Sequence, residues 1–234
     1  MHVVRDRREN PEADREVTAH LVDRVRETGE AGRRVWTPPR QVSFGPRDRR
    51  ADGYDRARRA ASERGYPATE RDAGGRAVAY AGSTVAFVLA EPVDGSRAVT
   101  RDESDRDAAD RRRGIRARYD AATAALRAAL SSLRVDAAPG EPPDSFCPGS
   151  HSLQADGKIV GLAQRVRREV TLVGGVVVTR DHEALAAVLT PVYAALALPF
   201  DPDSVGSVAR TGGDGRPEAV VDAVEAALSE MHES

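Results

Sequence analysis

The chain has 234 residues, a formal net charge of −2, 40 % hydrophobic residues and 31 % charged ones. That is enough apolar material for the core of one domain, which excludes wholesale disorder, and the near-neutral balance argues against a dedicated nucleic-acid binder. No run of about 18 apolar residues is present to span a membrane, and the single cysteine can build neither an internal disulfide nor a cysteine-based zinc site.

The first residues, MHVVRDRRENPEADRE, carry no apolar signal core, so a cytoplasmic protein is expected. Asn10-Pro11 followed by acids predicts a helix start, with Asn10 as cap. Val17, Leu21, Val22 and Val25 continue at helical spacing and Gly29 ends the run. Residues 35–38 and 41–44 read as two short strands around a Pro-Pro turn. A second helix is expected over 53–64, closed by Gly65, and a strand leads from it into residues 71–76. Residues 77–80 and 84–89 read as strands. The polar run 92–113 reads as a mobile, solvated loop that leads into a helix. From Ile115 that helix is marked by Tyr119, Ala122, Leu126, Leu130 and Leu133 on one face.

The four prolines in 136–150 predict a loop. Residues 152–155 and 158–166 read as a hairpin around Asp156-Gly157. Residues 171–179 form a further strand. Asp181 is expected to cap a helix through about Leu189, with helical packing resuming over 192–198. Residues 201–216 are rich in Gly, Asp and Pro, and Pro217–Met231 forms a last amphipathic helix. Hairpins between helices, with no internal repeat, predict an α+β fold around a mixed, mainly antiparallel sheet flanked by helices.

Three segments can carry chemistry. In the first, Arg71, Gly74, Gly75, Arg76 and Ala77 lie between two strands. Paired glycines let a backbone approach a ligand, and flanking arginines neutralise a carboxylate or phosphate. The same residues also suit a plain hairpin turn with surface arginines. They match no phosphate-binding P-loop and open no helix as a dinucleotide fingerprint does. In the second, Cys147 sits in Phe146-Cys147-Pro148-Gly149-Ser150-His151. A thiol framed by Pro and Gly can face a cleft and act as a nucleophile beside a cation, or simply pack as a small apolar side chain. His151 is its candidate base.

The third segment is Asp156-Gly157-Lys158 running to Gly161 and Gln164. Of 35 basic residues Lys158 is the only lysine; all others are arginine. Simple alternation puts Val160 and Leu162 on its own face of the sheet. A lysine facing inward is costly unless it meets an anion, while a lysine at a hairpin end can equally sit in water. The remaining histidines show no ligand spacing, so no metal site is expected. Ser150 and Ser152 form no nucleophile elbow.

In this order, RDAGGRAV (71–78), CPGSHSLQADGK (147–158) and GKIVGLAQ (157–164) resemble the lipoate/biotin protein ligase and octanoyltransferase superfamily. They are most similar to its cysteine-dependent octanoyl and lipoyl transferase branch. The run 35–48 also fits the family's early strands, and the resemblance covers roughly residues 12 to 200. It implies one catalytic domain over 1–234, with a short helical extension from about residue 201. It implies Cys147 as nucleophile and Lys158 as the family lysine at the acyl carboxyl or phosphate. The acyl group would be bound beside Arg71, Gly74, Gly75, Arg76, Ala77, Gly161 and Gln164.

The implied activity is transfer of an octanoyl or lipoyl group through a Cys147 thioester, with Lys158 favouring the thiolate and the developing oxyanion. The donor would be an acyl-carrier or H protein, and the acceptor a lysine of a lipoyl domain or glycine-cleavage H protein. No cofactor is then needed, and no nucleic-acid or membrane partner. The alternatives are a lipoate-protein ligase using ATP and Mg through a lipoyl-adenylate, and a non-catalytic protein that binds acyl groups or lipoyl domains. Many ligases of the family carry a third glycine and a nearby histidine where Arg76 and Tyr80 stand here, which weighs against adenylation.

Overall fold

The structure is a computed structural model and describes residues 1–72, 74–93, 105–166 and 169–233. Helix α1 (Pro11–Thr28) forms where the spacing predicts it. The Asn10 side chain accepts from the N–H groups of Glu12 and Ala13, and Gly29 closes the helix at φ 69°. Such a cap is worth about 1 kcal/mol.

A seven-stranded sheet runs in the order β1 (His2–Val4), β2 (Gly32–Trp36), β6 (Val85–Pro92), β10 (Val170–Val177), β9 (Lys158–Val166), β8 (Ser152–Gln154), β7 (Ala138–Pro139). The β1–β2 pair is parallel, and the other neighbours are antiparallel. A three-stranded sheet holds β4 (Ala68–Glu70), β3 (Gln41–Phe44) and β5 (Val78–Tyr80). The α+β reading with a mixed, mainly antiparallel sheet therefore holds. The strands at 35–38 and 41–44 do not pair with each other, however. Pro38 and Pro39 donate no ladder bond, and there the chain crosses from the large sheet to the small one.

Helix α2 (Tyr54–Ser62) packs on α4 (His182–Ala195). Several expected boundaries move: β2 lies at 32–36 rather than 35–38, residues 138–139 of the expected loop pair as β7, and α4 runs past Leu189 through Pro191 to Ala195. Strand β6 runs on to Pro92, because Glu91 and Pro92 pair with Thr171 and Val170. Helix α3 (Asp105–Ser132) begins ten residues before Ile115; its first turns are rich in Arg, Asp and Ala, which favour or tolerate helix without marking an apolar face. The part of the expected loop at 94–104 lies outside the described residues. Asp181 precedes α4 at φ 58° without a capping bond. Its carboxylate instead accepts from Ser83 Oγ at 2.7 Å.

One face of the large sheet packs on α3 and α5 (Pro217–Glu233), through Val35, Phe87, Val160 and Val173 against Leu126, Leu130, Val220 and Leu228. The other face packs its Val176 with Val42, Val78, Leu189 and Tyr193, from the small sheet and α4. Cys147 and Tyr80 flank this second cluster, and the candidate site lies there.

A bulge sets the site's parity. Leu153 pairs with Val160 but Gln154 pairs with Lys158, so Ile159 is an extra residue on β9. Ile159 and Val160 both enter the α3 cluster, with Leu162 against it. Lys158 consequently leaves on the opposite face from Val160 and Leu162, which corrects the simple alternation. A Cβ on Gly161 would sit 3.6 Å from Lys158 Cε.

Candidate active site

The 71–76 segment follows β4 and folds back on itself. The Arg71 N–H donates to Phe44 O, 3.0 Å away, prolonging the small sheet. Its guanidinium donates to the carbonyls of Ser43 and Arg76. Gly74 takes φ 81°, and Gly75 lies against Gly45 so closely that a Cβ on Gly45 would be 2.3 Å from Gly75 O. Glycine is required at 45 for that approach.

The segment presents two donors to Cys147. Arg71 Nη2 lies 3.5 Å from Sγ and the Arg76 backbone N–H donates to it across 3.4 Å. The Arg76 guanidinium turns to Asp48, 3.4 Å away. Asp48 is fully buried; burial pushes its carboxyl up, against the opposing pull of the Gly45 N–H and Arg76.

Cys147 is half-buried and sits at φ 43°, a strained setting for a side chain with a Cβ. Its N–H donates to the Tyr193 hydroxyl at 2.6 Å, and that hydroxyl donates to Ala77 O at 3.0 Å. Tyr193 thus ties the thiol loop to the residue that ends the Gly-Gly segment. Burial pushes its phenol up, so the hydroxyl keeps its proton.

Lys158 is buried and does meet an anion. Nζ donates to Glu141 Oε2 at 2.6 Å, to Phe146 O at 2.9 Å and to Cys147 O at 3.0 Å, which uses all three ammonium protons. Glu141 also accepts from Gly149 N–H and Ser152 Oγ, each at 2.9 Å. Burial alone would raise the Glu141 carboxyl, but Lys158, Ser152 and Gly149 together hold it below the usual range. The cation beside Sγ is accordingly Arg71, while Lys158 grips the backbone that carries the thiol.

The structure therefore brings Arg71, Gly74, Gly75, Arg76, Ala77, Cys147 and Lys158 to one place. Gly161 faces the same side, paired across the ladder with Val176. Gln164 turns to the other side, where its amide reaches α3; with the oxygen set toward Arg118 Nε (2.9 Å) and the nitrogen toward Ile115 O (3.1 Å) it would tie β9 to that helix. The His151 ring stacks on Tyr119 with centroids 3.8 Å apart, over a separate cleft of about 550 Å³. Among the described residues no group of three or more His, Cys, Asp or Glu side chains is placed to hold a metal ion. No helix among them is long and apolar enough to cross a membrane.

The lipoyl protein ligase A/B catalytic-domain model matches residues 10–229. The chain belongs to this family. It is an enzyme of protein lipoylation, acting as a transferase or a ligase. Solved structures of the family share its fold. A lipoate-protein ligase A bound with ATP is 19 % identical, with TM-score 0.72, over 99 % of this chain and 85 % of that one. A bi-partite lipoate protein ligase from Thermoplasma acidophilum, studied with its E2 lipoyl domain, is 18 % identical, with TM-score 0.65, over 99 % and 83 %. P. falciparum LipL1 in complex with lipoate is 13 % identical, with TM-score 0.66, over 99 % and 60 %. No curated protein sequence matches the chain.

Within this lipoyl ligase family fold, sequence reasoning missed Glu141, Tyr193 and Asp48. Glu141 stands in a proline-rich loop and Tyr193 in an apolar helix, and neither position carries a local signal. Their partners lie 17 and 46 residues away in the chain.

Proposed function

We propose that the protein, as one catalytic domain, moves an octanoyl or lipoyl group through a thioester on Cys147 to a lysine of a lipoyl domain or H protein. The observation that carries this reading is the sulfur's setting: a guanidinium and a backbone N–H converge on Sγ. The guanidinium stands where negative charge gathers on sulfur as it attacks or departs, and the Arg76 N–H donates to the same atom.

In the first half-reaction Sγ attacks the acyl carbonyl of the donor, a thioester on an acyl-carrier protein or a lysine amide on an H protein. The new C–S bond forms while the donor's C–S or C–N bond breaks, and the carrier thiol or the H-protein lysine amine leaves after taking a proton. In the second, the neutral amine of the acceptor lysine attacks the Cys147 thioester. An amide forms, Cys147 departs as thiolate, and the amine's proton passes to solvent. Two half-reactions predict ping-pong kinetics. The acyl chain would run along the sheet face where Gly161 pairs with Val176 and Ala163 with Gly174. Three of those four residues are Gly or Ala, so few side-chain atoms stand there beside Lys158, whose Cε would lie 3.6 Å from a Cβ on Gly161.

The ligase alternative needs Lys158 to reach a phosphate. Its protons are committed to Glu141 and two carbonyls, so a phosphate would have to displace a buried ion pair, which supports the transferase reading. The test is incubation with octanoyl-carrier protein without ATP, followed by intact mass measurement. One octanoyl group gained by the native protein and absent from Cys147→Ala is expected. An adenylate formed from free lipoate and ATP, with no thioester, would replace this reading with the ligase. Tight carrier binding without either product would leave a binding module.

A further inference from the structure

We infer that Glu141 is a positioning residue for the thiol, acting through Lys158 and the 147–152 loop; the inference rests on the Cys147 reading for its catalytic consequence. Three observations carry it. First, Glu141 uses both carboxylate oxygens on the two ends of one short segment: Oε1 accepts from Gly149 N–H, and Oε2 accepts from Ser152 Oγ. Second, Oε2 also takes the buried Lys158 ammonium, whose other two protons go to the carbonyls of Phe146 and Cys147. Third, Cys147 sits at φ 43°, a conformation that a non-glycine residue holds only when its surroundings over-determine it.

The bonds form a chain from carboxylate to ammonium to the Cys147 carbonyl. On the other side of the same residue, Tyr193 holds the N–H. The peptide groups flanking the thiol are thus fixed from both sides, and Sγ is held at Arg71 and the Arg76 N–H.

All three groups that Glu141 accepts from are donors: an ammonium, a hydroxyl and a backbone N–H. An all-acceptor head is therefore required. A glutamine would turn an NH2 toward donors and could satisfy only part of the set, while an aspartate keeps the acceptor head on a shorter stem. Neutralising Lys158 also matters. Without the carboxylate, a buried ammonium loses its counter-charge and its hold on the two carbonyls loosens.

The test uses the full chain with Glu141→Gln, Glu141→Asp, Lys158→Met and the Glu141→Gln Lys158→Met double variant. One measurement is the rate of Cys147 alkylation by iodoacetamide at neutral pH, which needs no acyl donor. The other is the single-turnover rate of acyl-enzyme formation from octanoyl-carrier protein over a range of donor concentrations. Folding of each variant is followed by its thermal midpoint.

A folded Glu141→Gln should lose about tenfold in the maximal acylation rate, with half-saturation by donor unchanged, and Glu141→Asp should recover most of the loss. Alkylation should fall in parallel. The double variant should be no slower than Lys158→Met alone, because the two residues act as one unit. Glu141→Gln acylating and alkylating at the native rate would overturn the inference. So would additive losses in the double variant, or a loss that Glu141→Asp does not reverse. If the native protein forms no acyl-enzyme, the thioester reading fails, while the alkylation rates still decide whether Glu141 positions the thiol.

Discussion

Replacing Tyr193 by phenylalanine removes one oxygen and tests how firmly the thiol loop is tied down. The ring keeps its place beside Phe200, 5.1 Å between centroids, so the packing loss is small. Two polar groups lose their partner. Ala77 is fully buried, so its carbonyl, which accepts from the Tyr193 hydroxyl, has no access to water; an orphaned acceptor of that kind costs about 1–3 kcal/mol. Cys147 is half-buried, so its N–H can find a water and adds only about 0.5–1 kcal/mol. The expected loss is thus about 1.5–4 kcal/mol, below the 5–15 kcal/mol of a typical domain, so the variant should still fold. In urea this corresponds to a midpoint lower by roughly 1 M. Cys147 is also freed to leave its left-handed setting, so alkylation of the thiol should slow as Sγ drifts from Arg71. Equilibrium unfolding and iodoacetamide labelling measure the two effects. A Tyr193→Phe protein within about 0.5 kcal/mol of native, labelled at the native rate, would show that the hydroxyl does not hold the loop.

Other substitutions test neighbouring parts of the argument. Gly45→Ala puts a Cβ 2.3 Å from the Gly75 carbonyl oxygen, backbone against backbone; a stability loss of about 1–3 kcal/mol and collapse of acylation are expected, and unchanged thermal unfolding would contradict the close approach. Gly161→Ala meets only Lys158 Cε at 3.6 Å and Val176 Cγ2 at 3.9 Å, both ordinary contacts, so its stability should stay within about 1 kcal/mol of native. It should nevertheless slow acylation by an octanoyl donor more than by an acetyl donor, and equal effects would move the acyl chain off that face. Asp48→Asn addresses pH. Burial raises the Asp48 carboxyl in the folded protein, so the native protein loses stability as pH rises from the ordinary aspartate range through that raised value. The asparagine variant should lack this slope, match or exceed native stability at neutral pH, and converge on it in acid. A deficit that is largest at neutral pH would refute that sign.

The sequence disclosed what rests on neighbours in the chain. Asn10 and Gly29 bound α1 because capping is local, and Asp156-Gly157 turns the β8–β9 hairpin at φ 49° and 105°. The Gly-Gly segment and the cysteine loop could be picked out because glycine, proline and a lone thiol are conspicuous. What escaped depends on pairing at a distance. Period-two counting cannot see an extra residue such as Ile159, so it put Lys158 on the wrong face. Apolar periodicity could not find the first ten residues of α3, whose composition is charged. The partners of Lys158 could not be read either. The sequence left Lys158 either in water or facing an anion and did not name Glu141, because an acid in a loop has no preferred direction until the loop is folded.

The thiol's surroundings come from widely spaced parts of the chain: Ser43, Arg71, Arg76, Glu141, Lys158 and Tyr193. During synthesis Cys147 emerges before either the lysine or the tyrosine that fixes its peptide groups. A growing chain that ends before Lys158 therefore holds Cys147 by neither tie. Tyr193 lies in α4, so the bond that holds the Cys147 N–H is made only when α4 docks. Any opening that releases α4 therefore removes one of the two ties on the peptide groups flanking the protein's only thiol.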